Sequence, residues 1–181
     1  DEDGPWKDLL ISYNGLPITY DAQGNPTDYL GHTLVWEKGR QLKSFDDIEY
    51  TYNANGIRTS RTVNGVRCSY ILDGTKILQE YWHYKEVGEE YEDAVLVPLY
   101  DNEDSVCGII YNNYAYYFLK NLQGDVIAVY DEFDNLAVSY TYDAWGKLYS
   151  TTGTLAGTLG EANPLTYRGY VTDRETSLYY L

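Results

Sequence analysis

An all-β fold is what this sequence predicts: repeated β-hairpins forming a curled, twisted antiparallel sheet. Turn dipeptides recur at short intervals along the 181 residues, and the segments between them alternate apolar and polar residues with period two. An aromatic-rich unit also repeats along the chain. No stretch sustains the 3.6-residue period of an amphipathic helix. The acidic run from Lys85 to Asp93 has no apolar stripe and reads as a solvated loop.

The turns come first in the argument because they set the strand lengths. Asn14-Gly15, Asn55-Gly56, Asn64-Gly65 and Asp73-Gly74 are dipeptides that favour type I′ hairpin turns, whose two central residues need positive φ. Gln23-Gly24-Asn25-Pro26, Lys38-Gly39, Gln123-Gly124-Asp125 and Trp145-Gly146-Lys147 continue the series. Between them lie segments such as Val126–Tyr130 and Val138–Tyr142. Alternation places Tyr140 and Tyr142 on one face of a strand and Thr141 on the other.

The repeating unit reads aromatic or aliphatic residue, any residue, aromatic, Asp or Asn, two residues, Gly. It appears as Ile18-Thr19-Tyr20-Asp21-Ala22-Gln23-Gly24, as Tyr50-Thr51-Tyr52-Asn53-Ala54-Asn55-Gly56 and as Tyr140-Thr141-Tyr142-Asp143-Ala144-Trp145-Gly146. Leu34-Val35-Trp36-Glu37-Lys38-Gly39 is a degenerate copy, and Tyr20, Trp36 and Tyr52 stand 16 residues apart. Looser copies start at Tyr100-Asp101, leading to Gly108, and at Tyr130-Asp131, leading to Asp134-Asn135. Each unit is about one hairpin, marginal alone, and stacking lets the aromatic faces form one wall. The Asp or Asn starts the turn by accepting amides two residues on, and the Gly supplies positive φ.

Composition narrows the function. The chain holds 22 Tyr against 3 Phe and 4 Trp. A Tyr ring packs as well as Phe but brings a hydroxyl that needs a partner when buried, which suits walls packed on one side and polar on the other. The net charge of −15 argues against nucleic acid and anionic membrane surfaces as partners. No apolar run reaches the ~20 residues of a membrane helix. Cys68 and Cys107 are open between a disulfide and free thiols, and with only His32 and His83 beside them they make no metal-site spacing. The Asp101–Asp104 cluster lacks EF-hand spacing, and no phosphate-cradling loop is present. Two distant histidines are poor material for nucleophilic catalysis, so neither catalytic residues nor cofactors are assigned. The sequence lacks Met, and Asp1 is expected to begin a fragment of a longer protein.

The unit Tyr-x-Tyr-Asp-x-x-Gly resembles the YD repeat of RHS proteins and wall-associated polymorphic toxins. The second half resembles the RHS repeat-associated core in four blocks: Tyr117–Ile127, Tyr140–Lys147, Asn163–Tyr170 and Asp173–Leu181. Arg168, Gly169 and Tyr170 belong to the third, and Ser177 stands where the family has Gly. The resemblance implies a β-sheet strip that spirals into a hollow shell around a covalently linked C-terminal effector. It implies a secreted or cell-surface bacterial location. The family's self-cleavage aspartates are not assigned, and Asp173 is not one of them.

These readings divide the chain into degenerate repeats over 1–82, an acidic inserted loop over 83–95 and the RHS core over 96–181. The residues defining the repeats are Tyr20, Asp21, Gly24, Trp36, Gly39, Tyr52, Asn53, Gly56, Gly124, Tyr140, Tyr142, Asp143 and Gly146, with Arg168, Gly169 and Tyr170. The leading expectation is a non-catalytic shell segment. The second is a glycan- or cell-wall-binding array with Trp6, Trp36, Trp82 and Trp145 as sugar platforms. The third is a self-cleaving core truncated before its motif. Open sheet edges are expected to self-associate.

Overall fold

The computed structural model describes residues 6, 8–86 and 89–180, and for 84–86 and 89–95 the backbone alone. Fifteen strands follow one another along the chain. They are β1 (Ser12–Tyr13), β2 (Leu16–Tyr20), β3 (Pro26–Tyr29), β4 (His32–Glu37), β5 (Gln41–Phe45), β6 (Ile48–Tyr52), β7 (Arg58–Val63) and β8 (Val66–Asp73), then β9 (Lys76–Glu86), β10 (Glu89–Tyr100), β11 (Val106–Tyr111), β12 (Tyr114–Lys120), β13 (Val126–Asp131), β14 (Leu136–Tyr142) and β15 (Leu148–Thr152). Each is hydrogen-bonded to its neighbours in sequence. A one-turn helix α1 (Leu159–Ala162) and an antiparallel ribbon of β16 (Val171–Asp173) and β17 (Leu178–Tyr180) complete the chain. The fold is all-β, with α1 the sole helical turn among the described residues.

Two compact units divide the chain: residues 1–70 with 82–91, and residues 71–81 with 92–181. In the first, alternation sorts the faces. In β6, Tyr50 is buried and Thr51 exposed. Ile18, Leu34, Phe45, Tyr50, Cys68 and Tyr70 form its buried apolar set, joined by two arginines, Arg58 and Arg61. The Arg58 guanidinium lies 5.3 Å from the Tyr50 ring centroid and 5.7 Å from that of Tyr70. Arg61 sits 5.0 Å over Trp82 and donates from Nη1 to the Tyr70 hydroxyl at 2.8 Å. Ring faces thus supply the partner that a buried cation requires.

In the second unit the core is aliphatic and aromatic: Leu96, Ile109, Tyr116, Val126, Val129, Val138 and Tyr140 from the strands meet Leu159, Leu165 and Val171 from the chain's end. Residues 153–180 therefore cap one face of these strands. Backbone bonds fix the cap, from Leu155 N to Ala137 O at 3.0 Å and from Val126 N to Thr166 O at 2.8 Å.

Several local expectations change. Asn55-Gly56 is not a type I′ pair, because only Gly56 has positive φ (81°) and the turn begins two residues earlier at Asn53. Asp73 likewise stays outside the left-handed region, and Gly74 (φ 60°) turns with Thr75. Left-handed pairs do occur at Asn14-Gly15, Asn64-Gly65, Lys38-Gly39, Leu30-Gly31 and Asn112-Asn113, the last two unread in the sequence. The copy beginning at Tyr100 turns through Asp104 (φ 63°), while Gly108 lies within β11. Residues 83–86 and 89–95, expected as part of an acidic loop, belong to β9 and β10, and 87–88 lie outside the described residues. Tyr81, Trp82, Tyr84, Tyr91 and Val95 give this stretch a strand propensity that outweighs its charge.

Candidate functional site

The repeat is a single piece of turn chemistry used six times. At Asp21, Asn53, Asp101, Asn121, Asp131 and Asp143 the side-chain Oδ1 accepts the amides two and four residues on, at 2.8 to 3.0 Å. The residue three positions on is left-handed each time: Gly24, Gly56, Asp104, Gly124, Asp134 and Gly146. The carboxyls of Asp21 and Asp131 are held below the ordinary Asp range chiefly by side-chain hydrogen bonds from Asn25 and Asn135. That of Asp101 is lowered chiefly by the Ser105 backbone amide. A neutral amide oxygen serves as well at Asn53. Replacing Asn53 with Ala is expected to cost about 1 kcal/mol in urea unfolding, and Asn53→Asp to be close to neutral. An equal loss for both would show that the oxygen is not what matters.

Two further contacts recur with the turn. The ladder shifts register between Thr19 and Tyr20, Thr51 and Tyr52, and Thr141 and Tyr142, which marks a β-bulge on the following strand. The threonine hydroxyl meets a hydroxyl on that strand: Thr19 with Thr27 at 2.9 Å, Thr51 with Thr59 at 2.9 Å and Ser60 at 2.6 Å, and Thr141 with Ser150 at 2.7 Å. The second aromatic then ties one hairpin to the one before it. Tyr20 donates to Leu10 O at 2.7 Å, Trp36 Nε1 to Pro26 O at 2.6 Å and Tyr52 to Leu42 O at 2.8 Å. Donor and acceptor are ten residues apart in all three, so the 16-residue period of the aromatics is also a period of backbone staples. Tyr100 and Tyr142 donate likewise, to Ile77 O and Val126 O. These bonds give the Tyr-for-Phe choice its reason.

The cap uses the same residue types. Tyr140 donates to Gly160 O at 3.2 Å, and Arg174 Nη2 holds Gly160 O at 2.5 Å and Asn163 O at 2.9 Å. Tyr179 donates to Gly146 O at 2.7 Å, and the Tyr167 ring stands 5.9 Å from that of Tyr142 and 5.6 Å from that of Tyr179. Arg168 (φ 53°) and Gly169 (φ 74°) turn the chain so that Tyr170 N reaches Tyr167 O, while Arg168 N donates to buried Asp125. Gly124 (φ 90°) lies beside Arg168, and Gly39 O accepts from Asn25 Nδ2 at 2.6 Å. Burial pushes the Tyr140, Tyr142 and Tyr179 hydroxyls above the ordinary value of 10.0. Folded values above unfolded ones give stability that is complete below pH 10 and lost as pH rises through the folded values. Phenolate absorbance at 295 nm is therefore expected to rise in two stages. Exposed tyrosines ionise first, and the buried set ionises only as near-UV ellipticity collapses. A single stage with ellipticity intact would contradict these burials.

The four tryptophans are not equivalent. Trp6 covers Gly24, Trp36 is half-buried and hydrogen-bonded, and Trp82 has Arg61 on its face. Only Trp145, 88% exposed at a turn tip, presents open ring faces. A cavity of about 700 Å³ in the first unit is lined by Glu37, Lys43, Glu49, Thr51, Thr62 and Arg67 among others, with charges of both signs. His32 Nδ1 lies 2.7 Å from Asp46 Oδ2, and His83 Nε2 is 3.1 Å from the Ser69 hydroxyl. Cys68 and Cys107 are not joined in a disulfide. Among the described residues no group of His, Cys, Asp and Glu is arranged to hold a metal, and no helix is long and apolar enough to cross a membrane. Sequence reasoning missed the threonine clasps, the turn head Asn121, and the cap anchors Asn163, Arg174, Tyr167 and Tyr179. The clasps had a signal, a Thr between the two aromatics and a Thr or Ser eight or nine residues later.

No protein-family model matches the chain. Among characterised proteins it is similar to the tRNA3(Ser)-specific nuclease WapA of Bacillus spizizenii and the tRNA nuclease WapA of Bacillus subtilis. Each is 32% identical over 181 residues, or 95% of this chain. The chain spans 7% of the length of these relatives. Among solved structures it superposes on the Tc holotoxin pore of Photorhabdus luminescens with a TM-score of 0.72 at 18% identity, covering 89% of this chain and 8% of that one. It superposes on the TcdB2-TccC3-Cdc42 crystal structure with a TM-score of 0.71 at 16% identity, covering 89% and 9%. The chain is an RHS/YD-repeat segment. Its hairpins match the RHS shell of toxins rather than a nuclease domain, and the segment is non-catalytic. In RHS terms, the six turn heads are the Asp of the YD unit or its Asn equivalents, and the staples are its second aromatic.

Proposed function

We propose that this RHS segment is part of a wall that encloses a C-terminal effector covalently attached in the parent protein, on the outside or surface of a bacterium. The observation that carries the reading is the staple series Tyr20, Trp36 and Tyr52, which ties successive hairpins by side-chain donors to main-chain carbonyls at one spacing. A sheet so cross-linked resists local opening, and steric enclosure needs nothing further. The test is limited proteolysis of the parent protein at neutral pH. Its C-terminal domain should resist digestion inside the parent and be cut when expressed alone or after the wall is opened by urea. Equal cutting inside the parent would end the enclosure reading.

A cell-wall glycan role is favoured by one observation, the open ring of Trp145. Its test is Trp fluorescence titrated with cell-wall sugars. Saturable quenching abolished by Trp145→Ala would support it, and an unchanged signal would leave enclosure alone.

A further inference from the structure

We propose that the face of the second unit opposite its cap is a docking surface for a cationic amphipathic helix. The argument starts from register. Leu99 pairs with Gly108, Gly108 with Tyr117, Tyr117 with Tyr130 and Tyr130 with Leu136, so these five residues form one row across β10 to β14. The row shares its face with Val97, Ile110, Ala115 and Leu119 in the flanking registers. Tyr117, Leu119 and Leu136 are 49%, 48% and 46% exposed, large values for apolar side chains within strands. Alternate residues of the same strands, Ile109, Tyr116, Val129 and Val138, point the other way into the capped core. Both faces are thus apolar, and only one is covered. Strands covered on one side alone normally alternate apolar with polar, while apolar residues on both faces mark a sheet with a layer on each side.

The equivalent positions on β6 to β8 of the first unit show that the repeat does not require this. There the row carries Thr51, Ser60 and Ser69, and the next carries Glu49, Thr62 and Arg67. On β10 to β14 apolar residues replace these polar ones together, whereas the second of these rows holds a single exposed apolar side chain, Val35 on β4.

Shape and charge select the occupant. Gly108 is buried, with the Tyr116 carbonyl where a Cβ would stand, so the apolar side chains of the row are those of Leu99, Tyr117, Tyr130 and Leu136. The row crosses four interstrand spacings of about 4.8 Å, roughly 19 Å, the length of a helix of about 13 residues. Because the strands are staggered, the turn after β10 lies at the Leu99 end and the turn after β13 at the Leu136 end. The first carries exposed Glu103, with Asp104 ion-paired to Lys76, and the second carries exposed Glu132 and Asp134. An apolar strip with a negative turn at each end fits a helix with an apolar stripe and basic residues at both ends. A second copy of this chain, with its net charge of −15, would set like charges against like at both ends.

The test uses the whole chain and a fluorescent 14-residue Leu/Lys peptide that forms an amphipathic helix. A permuted peptide of the same composition without the apolar stripe is the control. Anisotropy should show saturable binding of the first and at least tenfold weaker binding of the second. Tyr117→Thr with Leu136→Thr should weaken binding at least tenfold. Glu103→Gln, Glu132→Gln and Asp134→Asn together should weaken it several-fold and flatten its salt dependence. These three positions are in exposed turns, so this variant reads the interaction even if the strand variant folds poorly. No binding, equal binding of the permuted peptide, or full affinity in a folded Tyr117→Thr/Leu136→Thr variant would overturn the proposal. So would a dimer in sedimentation that this variant abolishes, because it would assign the face to a second copy.

Discussion

Truncating Tyr140 to alanine is expected to destabilise the protein by about 3–5 kcal/mol, the range for removing a large buried aromatic. The ring is 2% exposed and sits in the core where β14 meets the cap. Its hydroxyl donates to Gly160 O and accepts from Asn163 Nδ2 at 3.4 Å. The loss therefore combines a cavity with two lost hydrogen bonds, while Gly160 O keeps Arg174 and Asn163 Nδ2 keeps Leu165 O. Tyr140→Phe keeps the ring and removes the hydroxyl, and should cost about 1–2 kcal/mol. Tyr149, on the adjacent strand and 84% exposed, is the internal control, and its alanine variant should stay within about 0.5 kcal/mol. Urea unfolding followed by Trp fluorescence orders the three. If Tyr140→Ala costs no more than Tyr149→Ala, the cap is not packed as described.

Gly146→Val is expected to cost about 3 kcal/mol or more, through strain and collision together. The position has φ of +91°, and a Cβ there would stand 2.5 to 2.7 Å from the ring carbons of Tyr167. Its carbonyl also accepts the Tyr179 hydroxyl at 2.7 Å. Gly65→Val separates the causes, since φ is +80° but nothing lies within 4 Å of the new Cβ. That control should show the strain alone, about 1–2 kcal/mol. The difference between the variants measures the seat of the cap. Hydrogen exchange should quicken across Tyr167–Tyr180 in Gly146→Val and not in Gly65→Val. Equal losses with unchanged exchange would mean that Tyr167 moves aside freely.

Much of this fold is legible in the sequence because its determinants are local. Asp21, Asn53 and Asp143 act within four residues of themselves, and the glycines that follow answer a local need for positive φ. Where the residue type varied, the reading slipped. Asp104 occupies the left-handed position without being glycine, so the pattern after Tyr100 points past it to Gly108. The Asn55-Gly56 dipeptide has the composition of one turn and the geometry of another, because the Asn53 side chain reaches the amides first. The cap was least legible. Tyr140 meets Gly160 and Tyr179 meets Gly146 across 20 and 33 residues, and no short-range pattern encodes such a meeting.

Strand order that follows chain order has a kinetic meaning. Every hairpin closes between segments a few residues apart, so little loop entropy is lost at each step, and chains of this kind fold fast for β proteins. A polypeptide emerging end-first, from a ribosome or through a narrow export channel, could register each strand on the one before it without waiting for a distant partner. The second unit is the exception. Leu159, Leu165 and Val171 follow all fifteen strands in sequence, so Tyr140 and Val138 stay uncovered until residues 153–180 have been made. Folding here is progressive along the strip and is followed by a locking step, the docking of residues 153–180.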